Sequence, residues 1–119
     1  MEAHDFFRGR STLLTVWLPI VAWGALIFTL SSIPSLHTDL GTWDLILRKC
    51  AHVTEYAILA FLLRRAMSTG PAFVVALAYA ASDEYHQTFV VGREGSPRDV
   101  AIDSIGIVVG LLVARRVLR

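Results

Sequence analysis

Leu13 to Leu30 is an 18-residue stretch without one charged side chain. As a helix it reaches about 27 Å, close to the hydrocarbon thickness of a bilayer. Pro19 lies inside it and is tolerable where neighbouring helices re-satisfy the backbone. Ser31-Ser32-Ile33-Pro34 ends it. The rest of the chain is also rich in apolar residues. Of 119 residues, 55% are hydrophobic and mean hydropathy is +0.56. Charged residues make up 18%, against roughly 25% in soluble domains. A soluble chain of this size has too small a core to hide that surplus. The composition therefore implies one integral membrane domain. A soluble helical bundle is the alternative, because only the first stretch is strictly apolar.

Several function classes fall away at once. A net charge of +1 gives no basic excess for nucleic acid. Cys50 is the single cysteine, so no intrachain disulfide or cysteine-based zinc site can form, and it reads as a small packing residue. Glu2, Asp5, Arg8 and Arg10 precede the first apolar run, and Ile27-Phe28-Thr29-Leu30 is not a small-residue cleavage motif. The run is expected to be a retained first span, not a removed signal peptide.

Four spans are expected, at about 13–30, 48–65, 72–91 and 99–115. The second begins polar with Arg48, Lys49, His52 and Glu55 and ends apolar before Arg64 and Arg65. Ser68-Thr69-Gly70-Pro71 reads as a turn. The third starts as AFVVALAYAA and finishes with Ser82, Asp83, Glu84, His86 and Gln87. The fourth opens with Asp99 and Asp103 and is followed by Arg115, Arg116 and Arg119. The positive-inside rule then assigns sides. The termini and the middle turn carry seven arginines, against Arg48, Lys49, Arg93 and Arg98 opposite. Both termini are expected in the cytoplasm, and the protein in a bacterial or archaeal cytoplasmic membrane as a multi-pass chain.

Alternating helix direction then delivers the polar groups of four segments to one outer face. Helical spacing agrees. Arg48, His52, Glu55, Tyr56 and Leu59 form one stripe, and Tyr79, Asp83 and either His86 or Gln87 another. Asp99, Asp103, Gly106 and Gly110 form a third. Gly106 and Gly110 are a small-xxx-small pair that permits close helix approach, so Asp103 is expected to face a neighbouring helix. Gln87 is expected inward and His86 at the interface. Trp17, Trp23 and Trp43 read as packing or interface anchors.

These residues carry a family resemblance. The chain, from about Trp17 to its end, resembles the VanZ-like family of small membrane proteins, named after a glycopeptide-resistance accessory protein. The resemblance rests on Ile27-Phe28 with Ser31-Ser32, and on Lys49-x-x-His52-x-x-Glu55-Tyr56 with Leu59. It continues with Ser82-Asp83-Glu84-x-x-Gln87-x-Phe89, Gly92-Arg93, Ser96, Asp99, Asp103, Gly106 and Gly110. Asp103 is a departure, since the family pattern more often has Asn there. The resemblance implies a four-span, all-α bundle and a link to low-level teicoplanin resistance. It supplies no molecular activity.

The candidate pocket divides by chemistry. His52, Glu55, Asp83 and Glu84 are the candidate acids and bases, with His52 oriented by Glu55 or Asp83. Lys49, Tyr56, Gln87, Arg93, Ser96, Asp99 and Asp103 are the candidate ligand-binding groups. Arg93 and Arg98 can hold a phosphate in bidentate fashion. The expected ligand is a cell-envelope lipid, such as a polyprenyl-linked species, or a cell-wall precursor. The competing readings are an enzyme acting on a lipid-linked phosphate and a structural salt-bridge network without a ligand. His52-x-x-Glu55 and Glu84-x-x-Gln87 resemble carboxylate-bridged metal bundles only loosely. A divalent cation, Mg²⁺, Mn²⁺ or Ca²⁺ sooner than zinc, is therefore the lesser expectation.

Overall fold

The computed structural model describes residues 3–32, 42–90 and 97–118, and the side chains of all these except 3–12 and 42–45. The described residues form four helices and no strand. They are α1 (Ala3–Ser31), α2 (Thr42–Ala66), α3 (Thr69–Gln87) and α4 (Pro97–Val117). The helices outrun the expected spans. α1 and α2 start earlier, and the turn at Ser68 is tighter because Pro71 falls in the first turn of α3, where its missing N–H costs nothing. α3 stops at Gln87 instead of 91, where the backbone N–H of Thr88 donates to the Tyr85 carbonyl and that of Phe89 to the His86 carbonyl.

Contacts at both ends establish alternating helix direction. Near one end Arg65 of α2 donates to the Thr15 carbonyl of α1 at 3.3 Å, and Arg64 and Arg115 line one recess. At the other end Phe28 of α1 stacks on His86 of α3, with ring centroids 4.3 Å apart, and Lys49 of α2 pairs with Asp99 of α4. Arg64, Arg65 and Arg115 thus gather at one end, and the carboxyl groups of Asp83, Glu84, Asp99 and Asp103 at the other, beside Arg48, Lys49 and Arg98.

α2 and α4 form the tightest pair, and two glycines explain it. A Cβ added to Gly106 would sit 3.0 Å from Val53 Cα, and one added to Gly110 would sit 2.9 Å from Ala57 Cα. Real side chains essentially never come that close, so only glycine lets these backbones touch. α3 supplies Ala72, Ala76 and Ala80, all fully buried at helical spacing. Large core side chains are few, chiefly Ile20, Ile27, Tyr56, Leu59, Leu63, Ile107 and Leu111.

α1 is the peripheral helix, resting on α2 and α3. Trp23 attaches it by donating its indole N–H to the Glu55 carbonyl at 2.9 Å, and Tyr79 donates to the Gly24 carbonyl. Its Leu13–Ser31 stretch is long and apolar enough to cross a membrane, with only 11% of the apolar window buried. Among the described residues no other helix meets that standard of length and composition.

The outside of the molecule is apolar all round. Leu14, Leu18 and Val21 of α1, Val74 of α3 and Ile105 and Leu112 of α4 are all exposed. Beside the apolar core, the inside also holds Ser31, Asp83, Glu84, Gln87 and Asp103. Large exposed apolar surface with buried carboxyl groups is uncommon in a water-soluble domain. Cys50 departs from expectation: it is exposed, not packed. It precedes His52 by two positions, which puts it about 200° round the helix from that inward-turned residue.

Candidate functional site

Each inward polar residue continues a stripe that is apolar further along its helix. On α3, Ala72, Ala76 and Ala80 run into Asp83, Glu84 and Gln87. On α4, Asp103 precedes Ile107 by four positions, and Ile107 is fully buried. On α2, His52 precedes Tyr56 by four, and Tyr56 is fully buried too. Apolar burial of these stripes fixes the rotation of each helix. That rotation carries the polar groups inward.

Cross-helix hydrogen bonds join the stripes. Nδ1 of His52 lies 3.2 Å from Oδ1 of Asp103. The Tyr56 hydroxyl donates to Oδ2 of Asp83 at 2.9 Å. The His52 and Tyr56 rings lie 22° from parallel, with centroids 6.4 Å apart. Lys49 donates to Asp99 at the more open rim. Through His52–Asp103 and Tyr56–Asp83, with His52 and Tyr56 one turn apart on α2, the cluster spans α2, α3 and α4. Bonds of this type to charged groups contribute about 1.5–3 kcal/mol each.

Three groups in the cluster have the geometry of metal ligands. One nitrogen of His52 and one carboxylate oxygen each of Glu84 and Asp103 lie within 4.8 Å of one another. The nitrogen Nδ1 of His52 meets Asp103 of α4, a cross-helix contact. Val53 faces α4, and Glu55 follows it by two positions, about 200° round the helix. The Glu55 carbonyl meets Trp23 of α1, and its side chain is half-buried.

Several buried polar atoms in the cluster have no hydrogen-bond partner among the described residues. They include Oδ1 of Asp83, Oδ2 of Asp103 and Nε2 of Gln87. Gln87 turns inward and His86 lies half-buried against Phe28. Arg93 and Ser96 lie outside the described residues. The Tyr56–Asp83 and Trp23–Glu55 bonds were not foreseeable from helical spacing, since each joins residues of different helices.

An apolar groove of about 430 Å³ runs alongside, between α1, α2 and α3. Ile20, Gly24, Phe28, Leu59, Leu63 and Tyr79 are among its walls. Phe28 belongs both to this groove and to the stack on His86, next to Gln87. The groove therefore leads to the polar end of the bundle.

The family described as VanZ/LLP1 matches residues 6–119, essentially the whole chain. The chain belongs to the VanZ/LLP1 family. No curated protein and no solved structure matches it. VanZ/LLP1 membership agrees with the motif order from Lys49 to Gly110, and every helix of the structure falls wholly or almost wholly within the matched range.

Proposed function

We propose that this chain is a single four-span membrane domain whose polar end receives the head group of a cell-envelope lipid or cell-wall precursor. The supporting observation is the set of buried polar atoms on Asp83, Asp103 and Gln87 without a partner among the described residues. Burying such a group without a partner costs about 1–3 kcal/mol. A salt-bridge network existing only for stability would close on itself and leave none. Two acceptors and an amide complement a head group rich in hydroxyls or amides, while Lys49 and Arg98 at the rim suit a phosphate. The apolar groove along α1 suits the lipid's hydrocarbon chain, since pockets of this kind are mostly apolar with a few placed polar groups.

The membrane placement draws on the apolar exterior and on length. Helices α2, α3 and α4 have 25, 19 and 21 residues, or about 38, 28 and 32 Å at the helical rise. Each is close to or longer than the roughly 30 Å hydrocarbon layer. Both termini and the arginine-rich end face the cytoplasm, and the carboxylate end faces outward. Likeness to VanZ connects this reading to low-level teicoplanin resistance.

The test is ligand retention. Protein in lipid nanodiscs is mixed with a polyprenyl-phosphate-linked sugar, and bound lipid is measured by native mass spectrometry. The wild type should retain it over a phospholipid of matched chain length. Asp83→Asn and Gln87→Ala should each weaken retention about tenfold, the equivalent of one lost hydrogen bond of about 1.4 kcal/mol. Equal retention of both lipids, or variants that match the wild type, would contradict the proposal.

A further inference from the structure

The structure assigns a divalent-cation site to His52, Glu84 and Asp103, one ligand from each of α2, α3 and α4. The inference stands on ligand geometry and does not depend on which lipid the protein handles.

Distances come first. Around an ion with bonds of about 2.1–2.2 Å, ligand atoms sit about 3.0 Å apart at right angles and about 4.3 Å apart across the ion. His52 Nδ1 and Asp103 Oδ1 are 3.2 Å apart, the separation of adjacent ligands. All three donor groups fit within 4.8 Å, so a few tenths of an ångström of side-chain motion closes the set on one ion. The three helices hold the donors firmly, since Asp103 is 0% and Glu84 4% exposed.

A second observation points the same way. Oδ2 of Asp103, wholly buried, and Oδ1 of Asp83, in a residue 3% exposed, have no hydrogen-bond partner among the described residues. A cation satisfies Asp103 from both oxygens or leaves the second to a metal-bound water. Asp83, directly before Glu84 and bonded through its other oxygen to Tyr56, can accept from such a water, as carboxylates around metal sites commonly do. As a metal ligand His52 is neutral, so a dication itself supplies the positive charge that buried carboxylates such as Glu84 and Asp103 require.

Donor chemistry selects the class of ion. One imidazole and two carboxylates suit a first-row divalent metal such as Mn²⁺, Fe²⁺ or Zn²⁺ better than Ca²⁺, which prefers oxygen alone. Three protein ligands leave positions open for water or a ligand oxygen, as in catalytic metal centres. From sequence, Mg²⁺, Mn²⁺ or Ca²⁺ rank ahead of zinc; a histidine in the donor set keeps Mn²⁺ among the candidates and adds Fe²⁺ and Zn²⁺.

The probe is Mn²⁺ added to chelator-stripped full-length protein in nanodiscs. Electron paramagnetic resonance counts bound ions, and electron-spin-echo modulation reports a directly coordinated ¹⁴N. One Mn²⁺ per chain with ¹⁴N coupling is expected, and Zn²⁺ should displace it. His52→Gln should abolish the ¹⁴N coupling, and Asp103→Asn should weaken Mn²⁺ binding more than about 100-fold, beyond the range typical of outer-shell changes. Stoichiometric binding without ¹⁴N coupling in the wild type would overturn the site even if both variants fail to fold. Absence of stoichiometric Mn²⁺ and Zn²⁺ binding would overturn it as well.

Discussion

Tyr56 illustrates how a single residue ties packing to polarity. Its ring is fully buried among Leu59 and other core residues, and its hydroxyl donates to Asp83. Tyr56→Phe keeps the ring but strips Oδ2 of Asp83 of that donor. Such a loss costs about 1–3 kcal/mol, whereas removing both partners together costs less. Thermal unfolding in detergent should therefore show a clear drop for Tyr56→Phe and a smaller drop for the double variant Tyr56→Phe with Asp83→Leu. A neutral Tyr56→Phe would mean that the bond contributes nothing. Helical spacing placed Tyr56 beside His52, a relation internal to α2. Its bond to Asp83 depends on how α2 and α3 dock, and spacing within one helix carries no such information. The same holds for His52, whose Nδ1 partner is Asp103 from α4. Spacing along α2 relates His52 to Glu55, three positions on, but carries no information about which residue of α4 meets its Nδ1.

At the scale of the helices, glycine position separates close packing from loose. Gly106 and Gly110 press α4 onto the backbone of α2, whereas a Cβ on Gly24 would meet only Tyr79, at 3.7 Å. Gly106→Leu or Gly110→Leu should push α2 and α4 apart and cost at least the 1–3 kcal/mol typical of overpacking. Gly24→Ala should leave the unfolding midpoint within about 0.5 kcal/mol of the wild type, the range of substitutions away from tight contacts. Comparable losses at Gly24 and Gly106 would contradict the assigned α2–α4 seam. That seam was legible as a small-xxx-small spacing following Asp103. The true start of α1 was not legible because charged residues such as Arg8 and Arg10 precede its apolar run, and that of α2 because Arg48 and Lys49 separate Leu45-Ile46-Leu47 from the later apolar residues.

For the molecule as a whole, four apolar segments separated by turn-forming residues made the all-helical architecture readable from the chain. Alternating direction followed from the short turn at Ser68 and from the arginine distribution. What the sequence left open was the arrangement of the polar groups once gathered, because that depends on the rotations of three helices at once. The structure shows an apolar core that turns polar toward one end, much exposed apolar surface, and the buried carboxyl groups at the end opposite Arg64 and Arg115. Threading through a bilayer is the physical basis of the functional reading, since it puts the carboxylate end and the arginine end on opposite sides. Single-cysteine labelling tests it directly. In a Cys50→Ala background, Phe89→Cys marks the polar end and Gly70→Cys marks the turn between α2 and α3. Both wild-type positions are exposed. In intact cells a membrane-impermeant maleimide should label residue 89 and should reach residue 70 only after permeabilisation. Labelling of both from the same side would contradict the account.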